Sequence, residues 1–332
     1  MAGQPLNATF FAFKKRERGG VLLGASVAYL ILAVILLAAF VALNYQGVGE
    51  IIRWYGGMVS SAVEGKSPAA AMAAIPAGFG IFFLTLIPFM FAVYILLAAY
   101  EAACLRWMIR GEQSGFMGLS LGADTWRVYL TYWIWVGLYM AFSVVFSLLT
   151  FLAMGVSLAS VGTGDQAAAA FLPAVLAVTA LRIVLMVYFG IRLAPAAATS
   201  VGRQRFSFFE AWKVTKGRFW AMFGAYVIVV LIAAVGEIVF FGIVFSIIGA
   251  GIIPQIVSAG PNPSEAQVSA ILASIFTAQN AIVLAVAYAI LLALSLIIYV
   301  LFFGINARAV IAAAEDGKID GVPNVAVAET FA

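Results

Sequence analysis

Residues 219–249 read FWAMFGAYVIVVLIAAVGEIVFFGIVFSIIG, an apolar run interrupted by a single charge, Glu237. A stretch of this kind is typical of a transmembrane helix, because about 20 apolar residues cross a hydrocarbon core of roughly 30 Å. Five other stretches also qualify, so the sequence predicts an all-α polytopic membrane protein with six spans. The predicted spans are 21–43, 76–100, 130–157, 172–193, 219–249 and 280–306.

The composition excludes a soluble protein and most familiar enzyme chemistry. Of the 332 residues, 65% are apolar and 10% are charged, whereas soluble domains carry about 25% charged residues. The chain has no histidine and one cysteine, Cys104. It therefore cannot form a histidine-based metal site, a Ser/His/Asp triad or an intramolecular disulfide. We expect no catalytic residue, no metal site and no cofactor, and we expect that the protein is not an enzyme.

Basic residues set the predicted orientation, because Lys and Arg accumulate in cytoplasmic loops. Fifteen of the eighteen lie in the N-terminal segment, in the connections around 101–127 and 192–218, or at the C-terminus. Six of the seven tryptophans lie on the same side, where indole rings favour headgroup depth. This predicts a cytoplasmic segment 1–20, a membrane domain 21–308 and a cytoplasmic tail 309–332. The basic residues flank spans and form no continuous stripe, so nucleic acid is not an expected partner.

A weak internal repeat relates parts of the chain. An offset of 91 residues aligns 125–129 with 216–220, and 303–306 matches 189–192 as a partial further copy. The pattern predicts three hairpins in a parallel repeat, made by spans one and two, three and four, and five and six. Such a bundle could enclose a central cavity, or the repeat could simply serve to pack six helices.

The connection after the fourth span resembles a short amphipathic helix. Ser207 and Glu210 have the spacing of a capping box, and Gly217 can end the helix. Its apolar face comprises Phe208, Ala211, Trp212 and Thr215. One interpretation is an interfacial helix that directs Lys213 and Lys216 toward anionic headgroups. The alternative is a connector packed on the cytoplasmic end of the bundle.

Ionisable residues within spans are costly in lipid and mark candidate sites. Arg182 and Glu237 lie near the middle of spans four and five, so we predict a midplane ion pair. The alternative is that Arg182 binds an anion or a lipid phosphate in a cavity, or that Glu237 exchanges a proton. Glu101 is expected to reach the interface by snorkelling. The predicted cytoplasmic rim consists of Glu101, Arg127, Arg192 and Arg218.

Two stretches carry a family resemblance. Residues 192–195 are Arg-Leu-Ala-Pro, and residues 208–220 are FFEAWKVTKGRFW. They resemble the integral membrane domain attached to some bacterial glycerophosphoryl diester phosphodiesterases, which also occurs as free-standing six-span proteins. The resemblance implies a location in the bacterial inner membrane and an association with lipid or envelope processes. It implies no phosphodiesterase activity, because the catalytic barrel and its histidines are absent.

Three functional hypotheses follow from these patterns. The first is a non-enzymatic inner-membrane protein that interacts with anionic lipids or serves as a scaffold for a protein partner in the membrane. The second is a transporter or channel for a small solute or lipid, using a midplane cavity around Arg182 and Glu237. An enzyme acting on lipids comes third, because its catalysis would rest on carboxylates and hydroxyls alone.

Overall fold

The computed structural model describes residues 8–13, 20–63, 77–161, 165–260 and 278–322, together with residues 267, 270, 271 and 274. Within these residues the chain is helical and contains no β-strand. The described α-helices are α1 Gly20–Val63, α2 Ala77–Arg110, α3 Ala123–Val161, α4 Asp165–Leu193, α5 Ala196–Gly202, α6 Ala211–Thr215, α7 Phe219–Ala259 and α8 Ala278–Glu315. Two 3-10 turns cover Phe11–Phe13 and Phe208–Glu210.

Six of these helices, α1 to α4, α7 and α8, are long and apolar enough to cross a membrane. The predicted all-α polytopic membrane protein is therefore confirmed. Several helices are longer than the predicted spans. Helix α2 has 34 residues, which at a rise of 1.5 Å per residue is about 51 Å. Because the hydrocarbon core is only roughly 30 Å thick, part of α2 must extend beyond it.

Successive long helices run antiparallel and contact each other, as expected for hairpins. In α1 and α2, the Thr85 hydroxyl donates to Asn44 Oδ1 at 2.8 Å. The rings of Phe142 in α3 and Phe189 in α4 lie 5.5 Å apart. Further contacts join Phe40 to Phe89, Gly236 to Leu294, and Tyr226 to Phe302. The repeat that would relate these hairpins stays a prediction.

The chain divides into two compact units. The first unit comprises 98–227 with the described residues of 1–25 and 301–332, and the second comprises 26–97 and 228–300. The boundaries between the units fall inside α1, α2, α7 and α8. Helix α8 also continues to Glu315, so the tail predicted from residue 309 begins inside a helix.

The core of the first unit is built around the end of α2. Every residue from 98 to 110 is buried, including Glu101, Arg106 and Arg110. A helix that is buried on every face is a core helix. The segments 195–203 and 309–313 are also buried. The connections predicted as membrane-flanking loops therefore contribute to a packed protein core.

Two glycines that the predicted repeat aligns have different surroundings in the first unit. A Cβ at Gly304 of α8 would lie 3.0 Å from Cβ of Ala12 and 3.1 Å from its backbone nitrogen. A Cβ at Gly190 of α4 would meet no heavy atom within 4 Å. The turn Phe11–Phe13 therefore packs directly on the backbone of α8 at Gly304.

Gly304→Ala is expected to destabilise the protein by about 1–2 kcal/mol relative to Gly190→Ala, because only the first adds a methyl group to a filled contact. Both changes give the same gain in helix propensity, so their difference isolates packing. Thermal unfolding in detergent measures it. Equal melting temperatures for the two variants would show that the Ala12 contact is absent.

Candidate functional site

Asp124, at the start of α3, lies at the centre of a buried ion-pair cluster. Its Oδ2 accepts a hydrogen bond from Arg110 Nη2 at 2.8 Å, and its Oδ1 accepts one from Arg127 Nη1 at 2.6 Å. Arg106 Nη1 lies 3.6 Å from Oδ2. Asp124, Arg106 and Arg110 are buried, and Arg127 is half-buried. Because an unpaired buried charge is strongly destabilising, this carboxylate holds the end of α2 against α3.

The two buried arginines also satisfy backbone carbonyls. Arg106 Nη2 donates to the carbonyl of Gly118 at 2.9 Å, and Arg110 Nη1 donates to that of Val201 at 2.7 Å. Arg110 therefore connects α2, α3 and α5. From the sequence, both arginines are predicted only as signals of membrane orientation. Their spacing of four residues, which places them on one face of a helix that continues past residue 100, was the signal that could have identified them.

The prediction that Glu101 snorkels to the interface is wrong. Its side chain is buried in the first unit, and the Tyr132 hydroxyl of α3 donates to its Oε2 at 2.5 Å. The error arose because the predicted span ended at residue 100, whereas α2 continues to Arg110. Glu101 therefore lies in the interior of a helix and is not near its end.

Arg192 connects the end of α4 to the segment that precedes α7. Its guanidinium lies over the rings of Tyr188, Trp212 and Phe219 at 5.2–5.5 Å, and Nη1 donates to the carbonyl of Thr215 at 3.1 Å. Cation–π contacts at this distance are stabilising. Most of these residues belong to the stretches that carry the family resemblance, so the motif encodes a packing arrangement.

The predicted capping box is also wrong. The Ser207 side chain makes no capping hydrogen bond, and its buried hydroxyl has no partner among the described residues. Glu210 pairs with Arg203 and Arg205 instead. The segment forms a 3-10 turn followed by the short helix α6, and Gly217 follows with φ +80°.

The apolar face of this connection packs on protein. Phe208 and Ala211 are buried in a cluster with Leu193 and Ala196. Ile134, Trp135 and Leu138 of α3 cover the cluster. This arrangement is the packed connector of the two sequence-based alternatives, and it leaves the opposite side of the segment facing outward.

Five side chains of this segment, two basic and three aromatic, are exposed. Phe209 is 70% exposed and Trp220 is 76% exposed. Trp212 is exposed as well, with Lys213 and Lys216 alongside. We call Phe209, Trp212, Lys213, Lys216 and Trp220 the connection surface. It combines two cations with three aromatic rings, of which Trp212 also packs against Arg192 and Tyr188.

The C-terminal segment folds back onto the same region. Arg218 Nη2 donates to Asp316 Oδ2 at 2.5 Å and to the carbonyl of Ala312 at 2.9 Å. Lys318 Nζ lies 3.1 Å from Asp316 Oδ2 and donates to the carbonyl of Lys216 at 3.2 Å. The hydrogen bond from Lys318, together with the charge of Arg218, holds the pKa of Asp316 below its usual range. Asp316 is therefore ionised at neutral pH.

A cleft of about 540 Å³ lies beside this segment. We call it the basic cleft, and its charged lining residues are Arg203, Arg205, Glu210, Lys213, Lys318 and Asp320. The Asp320 carboxylate pairs with Arg203, and one oxygen lies 3.7 Å from Arg205 Nη2. The Arg203 guanidinium holds the pKa of Asp320 below its usual range. The cleft therefore contains four cationic side chains and two carboxylates.

No family model, curated protein or solved structure matches this chain. The resemblance to the phosphodiesterase-associated membrane domain accordingly stays a prediction.

Arg182 and Glu237 fall in different units. Arg182, in α4, is half-buried, and its Nη2 lies 3.5 Å from Ser143 Oγ of α3. Glu237, in α7, has an exposed side chain within the second unit. The midplane ion pair between them stays a prediction.

A double-mutant cycle tests that pair. If it forms, Arg182→Ala and Glu237→Ala should each reduce the yield of folded protein, because each leaves an uncompensated charge in the membrane. The double variant should recover part of the loss. The readout is the monodisperse fraction in detergent chromatography. A loss in the double variant that equals the sum of the two single losses would argue against pairing.

Proposed function

We propose that this integral membrane protein is a non-enzymatic protein of the bacterial inner membrane that binds anionic lipid headgroups through the connection surface. Its two ends and the first-unit connections face the cytoplasm in this proposal. One observation carries it: two exposed lysines lie on the same short segment as three exposed aromatic rings.

The chemistry of the connection surface suits a membrane interface. Tryptophan rings favour headgroup depth, where the ring is partly desolvated and the indole N–H stays hydrated. A lysine near an anionic membrane surface contributes about 1 kcal/mol to binding. A segment that combines both groups matches the border between hydrocarbon and charged headgroups.

The packing beneath the connection surface supports this role. Phe208 and Ala211 anchor the segment in the core, and Arg192 fixes its other end through Thr215. The exposed side chains therefore project from a fixed backbone. Binding then costs less conformational entropy than binding through a disordered basic tail.

Lys216→Ala should lower the affinity for phosphatidylglycerol about threefold to fivefold, because it removes one cation from the headgroup-facing side. Arg308→Ala is the matched control. It removes the same charge from the first unit, but Arg308 lies outside the connection surface and pairs with Glu315 at 3.2 Å. Native mass spectrometry during a lipid titration of the detergent-solubilised protein measures both.

Two results would contradict the proposal. One is an equal loss of affinity in Lys216→Ala and Arg308→Ala, which would indicate a response to net charge alone. The other is equal binding of zwitterionic phosphatidylcholine and anionic phosphatidylglycerol by the unmodified protein.

A further inference from the structure

The basic cleft has an excess of positive charge. Four cationic side chains line it, Arg203, Arg205, Lys213 and Lys318, against the two carboxylates Glu210 and Asp320. Lys213 and Arg205 are exposed to solvent. A volume of about 540 Å³ lies within the range of small-molecule sites. The cleft can therefore accept a further anionic group.

Arg203 forms the floor of the cleft. Its side chain is only 3% exposed, and its Nε is buried without a hydrogen-bond partner among the described residues. Buried polar groups normally have a partner, so Arg203 retains hydrogen-bonding capacity that the described residues leave unused. A guanidinium offers donors in a fixed fork that suits the oxygens of a carboxylate or a phosphate.

The Asp320 carboxylate already accepts a hydrogen bond from the Arg203 guanidinium. Its side chain is 84% exposed, so the carboxylate that contacts Arg203 and Arg205 is open to water and to competing anions. The pair between Asp320 and Arg205 is exposed on both sides, and pairs of that kind contribute little to stability. The neighbouring Ile319 is buried and anchors the segment. The carboxylate is therefore held close to the two arginines by its chain position, and a stronger anion can displace it.

We propose that the basic cleft is a binding site for a phosphate group, which takes the place that the Asp320 carboxylate occupies. The phosphate belongs either to a lipid headgroup or to a soluble phosphate ester. Arg203 and Arg205 bind its oxygens, and Lys213 supplies additional positive charge, whereas the charge of Lys318 is paired with Asp316. Asp320 competes with the ligand and weakens its binding. The inference deepens the proposed lipid-binding function and rests on it, since Lys213 belongs to both surfaces.

The test compares Asp320→Asn with Glu315→Gln in the full-length protein. Both remove one negative charge from the C-terminal part of the first unit, but Glu315 pairs with Arg308 outside the cleft. Asp320→Asn should bind phosphate about threefold to fivefold more tightly, and Arg205→Ala should bind it less tightly by a similar factor. Glu315→Gln should leave the affinity unchanged. Arg205 is 59% exposed, so its loss should not impair folding.

Three probes distinguish the source of the phosphate. They are glycerol 3-phosphate in solution, nanodiscs that contain phosphatidic acid, and nanodiscs with the same mole fraction of oleate as a phosphate-free anion. Calorimetry measures the first probe, and lipid-to-protein energy transfer measures the nanodiscs. Tighter binding of glycerol 3-phosphate by Asp320→Asn supports a site for soluble esters. An effect confined to phosphatidic acid supports a headgroup site.

Three results would overturn the inference. Neither phosphate probe binds, or Asp320→Asn and Glu315→Gln change the affinity for phosphate equally, or nanodiscs with oleate bind as tightly as nanodiscs with phosphatidic acid. Each of these results leaves the proposed function standing, because that proposal is judged by Lys216, which does not line the cleft. Conversely, if Lys216→Ala has no effect while Asp320→Asn acts as expected, the cleft is a phosphate site and the connection surface is not a lipid-binding surface.

Discussion

The ion pairs of Asp124 are the interaction on which the first unit depends. A carboxylate that contacts Arg110 and Arg127 and lies near Arg106 sits where helices α2, α3 and α5 meet. Burying one of these charges alone would cost several kcal/mol. Each charge is tolerated because the others are present, and Arg110 also satisfies the carbonyl of Val201. The positions of three helices are therefore fixed by one shared network.

The cationic side chains of the first unit fall into two groups, one inside this network and one outside it. Arg106 and Arg110 are buried, and their guanidinium groups contact the Asp124 carboxylate and donate hydrogen bonds to backbone carbonyls. Arg205, Lys213 and Lys216 stay outside on a backbone that Phe208 and Arg192 hold in place. The proposed headgroup binding uses Lys213 and Lys216 of this second group. The buried group matters to function because it keeps the exposed cations at fixed positions.

The sequence predicted the six long helices well, because the length of an apolar run reports directly on transfer into lipid. It failed where a long apolar helix continues into a buried protein core. Arg106 and Arg110 lower the hydropathy after residue 100, so the predicted span ended there and Glu101 appeared to be terminal. Hydropathy contains no information on a partner such as Asp124, which lies 14 residues from Arg110. The continuation of α2 therefore could not be predicted from this signal.

Local motifs failed for a related reason. Ser207 and Glu210 have the spacing of a capping box, yet the carboxylate pairs with Arg203 and Arg205. A charged partner supplied by the fold is stronger than the neutral backbone donor that the motif assumes. Asp320 pairs with Arg203, which precedes it by 117 residues in the sequence. No short stretch of the sequence therefore predicts the basic cleft. The exposure of Lys213 and Lys216, by contrast, was predicted correctly, because it follows from the amphipathic pattern of this one segment.

The most direct test of this account is a double-mutant cycle on Arg110 and Asp124, with unfolding free energies measured by SDS titration in mixed micelles. The account predicts that Arg110→Met and Asp124→Asn each destabilise the protein, with a coupling energy of about 2 kcal/mol or more between them. Single-variant effects that add to within about 0.5 kcal/mol would contradict it. In that case the shared network would not be what holds the first unit together.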